Sequence, residues 1–256
     1  MQQVKQLSVI TTKNDLSVEY FKYIDGIKTQ IFNYDDLAGI KNAMVADAIY
    51  FRDPFVVDYD MGKLNEAMLT LEKFNGYRID NTHTLEDLFF EDKWRQFQVF
   101  SNFMPESWLL SDYYGNGSVI IKKRISSRAR DILFDKSAID ANKYSEYIVQ
   151  AMLNISKEYR VYVIKGKIVS TVSVKNSKTE SQAVKVDHVE PISPELELFC
   201  EQVMSKLPGL DFVGLDVAEV DGSLVLIEAN RAPQFKKFAQ LTNTNLAEQL
   251  IKSINL

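Results

Sequence analysis

Asp211-Phe-Val-Gly-Leu-Asp-Val-Ala-Glu-Val-Asp-Gly-Ser-Leu-Val-Leu-Ile-Glu-Ala-Asn-Arg-Ala-Pro-Gln-Phe235 reads as two apolar, β-branched strands joined at Asp221-Gly222, a dipeptide that favours a tight turn because glycine tolerates positive φ. Side chains alternate along a strand, so Glu228 and Asn230 share a face, about 7 Å apart. Asp216 joins them only for one form of turn. A two-residue loop pairs Val220 with Ser223 and sets Asp216 opposite Ile227, on the wrong face. A three-residue loop with Gly222 left-handed and bulged shifts that parity by one, and it is the form predicted. An Asp, a Glu and an Asn on one face make a hard oxygen site suited to magnesium, with manganese as a second candidate. On spacing alone, the solvated face of an ordinary hairpin fits the same residues.

Composition narrows the classes. With 46% hydrophobic and 25% charged residues, the 256-residue chain has ample core material for two or three lobes. A net charge of -5 gives no broad basic footprint, so no nucleic-acid partner is expected. Only His83 and His188 are present, which argues against a zinc centre or a Ser-His-Asp triad. The single cysteine, Cys200, lies in a helix expected over Pro194 to Leu207 and reads as a buried, inert thiol. No apolar run approaches a membrane span and the first residues lack a signal core, so a cytoplasmic protein is expected.

Residues 1–82 alternate strands (Leu7–Thr11, Thr29–Phe32, Ala48–Phe51, Tyr77–Asp80) with helical stretches near Leu16–Ile24 and Leu64–Phe74, the latter ended by Gly76. That alternation predicts a small parallel α/β lobe. Thr11-Thr-Lys-Asn14 lacks a Gly-x-Gly-x-x-Gly fingerprint, which excludes a dinucleotide cofactor. Arg52, after an apolar strand, either meets an acidic substrate or pairs with Asp53. Further on come a helix opened by Thr84 and carrying Glu91-Asp-Lys93, then Met104-Pro-Glu-Ser-Trp-Leu-Leu110, a hairpin turn at Gly115-Asn-Gly117, and Val119-Ile-Ile-Lys122-Lys123. Tyr147-Ile-Val-Gln150-Ala-Met152-Leu153 is a strand, and Lys157–Ile164 with Lys167–Ser173 make a hairpin turned at Lys165-Gly166, with Glu158 and Arg160 on one face. The polar stretch over residues 175–190 is expected to be a loop that orders on binding, and a closing helix spans about Asn245–Ile254.

Taken in order, the Asp-Lys pair, the Pro-led strand, the strand ending in Lys122, the Glu158/Arg160 strand and the Asp216 hairpin running into Glu-Ala-Asn-Arg-Ala-Pro resemble the ATP-grasp ligases, especially the RimK-like branch, over roughly residues 77–256. The resemblance implies an ATP-grasp fold with a parallel α/β lobe in front: an N-terminal lobe at 1–82, a small lobe at 83–153 and a C-terminal lobe with the metal site at 154–256. It implies that Lys93, Lys122 and Arg160 contact the phosphates of ATP, that Gln150, Met152 and Leu153 hold adenine, and that Glu158 binds ribose. It further implies metal ligation by Asp216, Glu228 and Asn230, while Arg231 either holds a substrate carboxylate or forms a structural pair. The implied reaction joins a carboxylate to an amine through an acylphosphate, on a peptide or protein in the RimK manner. A phosphotransferase, or a nucleotide-binding subunit with weakened catalysis, stays open, as does the oligomeric state, a homodimer included. The chain departs from the family pattern in Arg124-Ile-Ser-Ser-Arg-Ala-Arg-Asp-Ile-Leu133, where Ala129 and Asp131 stand in place of flap glycines.

Overall fold

Apolar strands separated by capped helices build the first sheet, and each element follows from local chemistry. In chain order these are β1 (Gln6–Thr11), β2 (Lys28–Asn33), α1 (Leu37–Ala43), β3 (Ala48–Phe51), α2 (Met61–Leu71) and β4 (Tyr77–Arg78). The strands pair in the order β2-β1-β3-β4, parallel throughout. The computed structural model describes residues 5–12, 15–52, 59–83, 87, 89–126, 132–175, 186–207 and 209–254. Asp60 caps α2 by accepting from the amides of Gly62 and Lys63, and the helix then lays Leu64, Ala67, Met68 and Leu71 into the core. The expected parallel lobe is present, with changes of detail. The stretch near Leu16–Ile24 is a six-residue 3-10 helix, Val18–Tyr23; α1 was not expected; and α2 stops at Leu71, before Gly76.

The strand expected to reach Asp80 ends at Arg78, because Asp80 and Asn81 take positive φ values of 62° and 51°. This turn serves a lock between distant segments. Asp80 Oδ1 accepts from the amides of Asp211 (2.8 Å) and Phe212 (2.9 Å), while Asp211 Oδ2 accepts from the amide of Asp80 (2.9 Å) and from the Tyr77 hydroxyl (2.8 Å). Burial lifts the Asp80 carboxyl to about 7, against the pull of Arg231 and the two amides. A raised folded-state value means that its contribution to stability is full below about 3.8 and is lost as the pH rises through about 7. Asp80→Asn keeps the amide acceptor without the titration. Its unfolding free energy, measured in urea at pH 5 and pH 7.5, should therefore gain on the wild type as the pH rises, by on the order of 1 kcal/mol per pH unit. A gap between the two proteins that does not change with pH contradicts this.

The second sheet holds α3 (Lys93–Phe100), β5 (Ser107–Leu109), β6 (Val119–Lys123), β7 (Ile132–Leu133) and β8 (Tyr147–Ala151), with antiparallel order β5-β8-β6-β7. Here the sequence reading is corrected. Gly115-Asn-Gly117 does not close a hairpin, since β5 and β6 both pair with β8 and not with each other. Nor does Lys93 continue a helix opened at Thr84: Asp92 is the N-cap of a new helix, its carboxylate accepting from the Trp94 amide. Thr84 itself lies outside the described residues.

The third sheet is the largest. It comprises β9 (Ile155–Ile164), β10 (Lys167–Ile168), β11 (Thr171–Lys175), β12 (Val186–Pro191), then, after α4 (Pro194–Met204), β13 (Phe212–Val220) and β14 (Ser223–Asn230), followed by α5 (Lys236–Thr242) and α6 (Leu246–Ser253). Its antiparallel order is β12-β11-β9-β13-β14, with β10 beside β9. Alternate residues Val161, Val163, Val213 and Leu215 pack on Leu196, Cys200 and Val203 of α4. Burial pushes the Cys200 thiol up to about 12, as befits an inert core residue. On the opposite face Tyr162 and Phe212 meet Phe235, Phe238, Leu246 and Leu250 together with Val9, Phe21 and Tyr50, so the first and third sheets share one apolar core.

The outer rim of β14 is covered by side chain and loop. Gln96 of α3 donates to the Ala229 carbonyl (2.8 Å) and accepts from the Ala229 amide (2.9 Å), and the Leu226 amide donates to the Phe103 carbonyl (2.7 Å). Among the described residues no helix is long and apolar enough to cross a membrane.

Candidate functional site

Where the core face of the third sheet runs out of apolar residues, the same face continues as charge. The β13–β14 turn is the two-residue form, with Asp221 (φ 49°) and Gly222 (φ 77°) between the paired residues Val220 and Ser223. The predicted three-residue loop is therefore wrong. The parity shift arises further up the strands instead: Val217 pairs with Leu226 and Asp216 with Glu228, leaving Ile227 as an extra residue in β14. Gly214 sits opposite Asn230. Asp216, Glu228 and Asn230 thus lie on one face, by a different device from the one expected. A Cβ on Gly214 would lie 2.6 Å from the Pro233 Cβ, so glycine lets the chain after β14 fold back against β13.

Register across β9 and β11 surrounds Asp216 with cations. Arg160 lies directly opposite it, and Ser173 opposite Arg160. Arg160 Nε donates to Asp216 Oδ1 and Nη2 to Oδ2, both at 2.6 Å, a bidentate fork. Lys175 Nζ is 2.8 Å from Asp216 Oδ2 and 2.7 Å from Glu158 Oε1. Burial would raise the Asp216 carboxyl, but Arg160 and Lys175 outweigh it and hold the group at about 2. Arg160, half-buried, is held above its ordinary value by Asp216 against the opposing effect of desolvation.

The start of α3 closes in from the neighbouring sheet. Lys93 Nζ stands 3.7 Å from Glu228 Oε1 and donates to the Ser126 carbonyl at 2.8 Å. The chain around Ser126 is itself anchored, because Arg124 forks onto Asp92 (Nε–Oδ1 3.1 Å, Nη2–Oδ2 2.5 Å) and its carbonyl accepts from the Lys93 amide at 3.0 Å. On the face of the second sheet Lys122 donates to Gln150 Oε1 (2.6 Å), and Gln150 donates to Ser107 Oγ (3.1 Å). Beyond β8, Met152 is exposed and Leu153 half-buried, while the amides of Ala151 and Met152 are committed to the carbonyls of Glu106 and Ser118. The arginine-rich segment around Ala129 and Asp131, and residues 176–185 of the polar loop, lie outside the described residues.

Two candidate substrate residues are placed elsewhere. Arg52 is fully buried, its Nε 2.5 Å from Asp15 Oδ2 and its Nη2 3.1 Å from the Pro233 carbonyl, with its guanidinium over the rings of Tyr50 and Phe21. It bridges the first sheet to the loop after β14 and does not face a substrate. Arg231 is equally buried; Nη1 donates to the Phe51 carbonyl (2.6 Å) and lies 3.8 Å from Asp80 Oδ2, so the structural reading holds for it.

Magnesium can be tested against these donors. Among the described residues no group of three His, Cys, Asp or Glu side chains converges. The candidate set is two carboxylates and an amide, which suits a hard cation that completes its shell with water and phosphate oxygens. Asn230 Nδ2 is buried without a hydrogen-bond partner, and since amide oxygen and nitrogen are interchangeable assignments, the same side chain can turn an oxygen to the cluster. The donors fit, provided Asp216 is freed from part of its cationic shell. Lys175 escaped the sequence reading although a signal was present: Val172-Ser-Val-Lys175 alternates, which puts Ser173 and Lys175 together on the polar face.

Comparison with known proteins places the chain in a family. Residues 114–254 match the RimK-like ATP-grasp domain. Tetrahydromethanopterin:alpha-L-glutamate ligase of Methanocaldococcus jannaschii is 24% identical over 148 residues, 55% of this chain and 49% of that protein, so the chain spans about half the length of this relative. Among solved structures, ATP-grasp ligase PsnB complexed with a phosphomimetic variant of its minimal precursor, Mg and ADP superposes with a TM-score of 0.66 at 17% identity, covering 98% of each chain. D-Alanine–D-alanine ligase from Bacillus anthracis with ATP gives 0.68 at 14% identity, over 98% of this chain and 96% of that one. These likenesses establish the ATP-grasp fold over essentially the whole chain.

Proposed function

The chain belongs to the RimK-like ATP-grasp family, and from that membership we propose that it is an ATP- and magnesium-dependent ligase joining a carboxylate to an amine, with a peptide or protein as the carboxylate substrate. The observation that carries this reading is the gathering of Asp216, Glu228 and Asn230 on one face beside Arg160, Lys175 and Lys93. Bound there, magnesium would supply charge neutralisation and polarisation at the β- and γ-phosphate oxygens. Arg160 and Lys93 offset the negative charge that develops on the transferring phosphoryl group, and Lys122 adds a point charge from the neighbouring sheet. Glu158 accepts from ribose hydroxyls, and the apolar pair Met152 and Leu153 flanks adenine.

The substrate carboxylate oxygen attacks the γ-phosphorus as the bond to the ADP oxygen breaks, giving an acylphosphate and ADP. The amine nitrogen then attacks the acyl carbon, the carbon–oxygen bond breaks, and phosphate leaves while the nitrogen loses its proton to solvent or phosphate. No histidine is needed, because position and charge supply most of the catalysis. The peptide substrate is supported by PsnB, of similar fold and solved with precursor peptide PsnA2. ATP as substrate fits a cytoplasmic setting.

A magnesium-dependent ADP-release screen over amino acids and peptides, with product masses measured, tests the reading. ADP release that requires an amine, with a product heavier by one amino-acid residue or lighter by one water, is the expected result. A stable phosphorylated product without amine would make the protein a phosphotransferase. Binding of magnesium-ATP without turnover would favour a nucleotide-binding subunit, as the residues Ala129 and Asp131 in place of flap glycines suggest.

A further inference from the structure

Lys175 is the last described residue of β11, and the register between β11 and β12 shifts between Val174 and Lys175. An irregularity of this kind re-aims a side chain at a strand end. The lysine is buried, and its ammonium spans Glu158 and Asp216, the residues assigned above to ribose and to metal. Asp216 Oδ2 accepts from Arg160 Nη2 and has Lys175 Nζ 2.8 Å away, so two cations crowd this oxygen, whereas Oδ1 accepts from Arg160 Nε alone. A divalent cation can therefore take Oδ2 only if one of the two donors leaves. Arg160 holds Asp216 by two parallel bonds from a strand position directly opposite, whereas Lys175 holds it by one bond at the end of a flexible four-carbon stem.

We propose that Lys175 is a placeholder cation, which neutralises Asp216 and Glu158 in the absence of metal and must leave Asp216 before a divalent cation can take its Oδ2 oxygen. The inference rests on the ligase reading for its assignment of Asp216 to metal. Its consequence is coupling. Without nucleotide the displaced ammonium would stand beside a dication, and metal binds weakly; with nucleotide it transfers to a phosphate oxygen, and metal and nucleotide bind as a unit. Lys175 thus positions the metal ligands, and one side chain makes the ribose carboxylate and the metal carboxylate available together.

The test uses Mn2+ as probe, with free Mn2+ read by electron paramagnetic resonance in the presence and absence of ADP. In the wild type, ADP should tighten Mn2+ binding strongly. Lys175→Met should bind Mn2+ alone about tenfold more tightly than the wild type and lose most of the enhancement by ADP, while Lys175→Arg keeps it. Tight binding of Mn2+ alone by the wild type, with no gain from ADP, overturns the proposal without recourse to any variant. So does a Lys175→Met protein of wild-type melting temperature whose Mn2+ affinity is unchanged or weaker. Lys175→Gln serves as the second variant if Met fails to fold. The ligase reading is judged separately: if wild-type Mn2+–ADP binding is strong and lost in Glu228→Gln of wild-type urea midpoint, that reading stands whatever Lys175 does, and if no binding depends on Glu228 or Asp216, both fall.

Discussion

Asp216→Asn should lower magnesium-dependent ATP turnover by on the order of a thousandfold or more, since it removes a metal ligand and the anchor of Arg160 together. The same change should also cost about 3 kcal/mol of stability, because the largely buried Arg160 loses its counterion and Lys175 is left with Glu158 alone. Loss of activity in this variant is thus ambiguous by itself. Glu228→Gln resolves it. Glu228 is a quarter exposed and its Lys93 ion pair is long, at 3.7 Å, so its neutralisation should leave the urea midpoint within the error of measurement. Turnover should nevertheless fall by a similar factor, because a neutral amide in place of the carboxylate removes one of the two negative charges offered to the dication. ADP release and urea denaturation on both variants give four numbers. A Glu228→Gln protein that still consumes ATP at the wild-type rate removes Glu228 from the metal site.

Asp15→Asn should lower the melting temperature by roughly 10 °C, from a loss of about 3–5 kcal/mol in a chain of this size. Asp15 is the hub that joins the first sheet to the third. It accepts from Arg52 Nε, Thr11 Oγ1, the Ser17 amide and Gln234 Nε2, while Ser17 Oγ in turn accepts from the amides of Phe235 and Lys236. Burial works against the charge on Asp15, yet Arg52 holds its carboxyl below the ordinary value. Taking away that charge leaves a guanidinium with no exposure facing three aromatic rings. If the pair matters as a pair, Arg52→Met combined with Asp15→Leu should recover much of the loss, as apolar replacement of a buried ion pair often does. Calorimetry showing Asp15→Asn within 2 °C of the wild type, the lower limit of a 1 kcal/mol change at this length, would discount the junction.

What could be read from residues alone followed period and turn chemistry. Val, Leu and Ile alternating with Asp216, Glu228 and Asn230 carry their own face assignment, and both Lys165-Gly166 and Asp221-Gly222 turn the chain where expected with positive φ at each position, the latter in the two-residue form and not the three-residue one. The extra residue at Ile227 had no marker, since nothing in Leu-Ile-Glu distinguishes a bulge from a regular strand. Its existence could be argued only from the demand that three oxygens converge, and the demand was met at a place the turn rules do not reach. For Arg52 and Arg231 a substrate contact and a structural pair both stayed open for a related reason. An arginine beside a strand end looks solvent-facing until its partner is known, and those partners, Asp15 and the Phe51 carbonyl, are 37 and 180 residues away. Likewise β5 and β6 looked like a hairpin because they are neighbours in sequence, whereas β8 inserts between them from further along the chain.

The clamp of Gln96 on Ala229 has a consequence beyond packing. Ser223-Leu-Val-Leu-Ile-Glu is the kind of segment that nucleates fibrils, and a strand of this composition at the margin of a sheet would ordinarily recruit identical strands from other copies. A glutamine amide occupies the donor and acceptor of Ala229, and the Phe103 carbonyl takes the Leu226 amide, so an incoming chain finds no ladder to zip onto there. One helix, α3, therefore both delivers Lys93 to the charged cluster and keeps the molecule from polymerising through that margin.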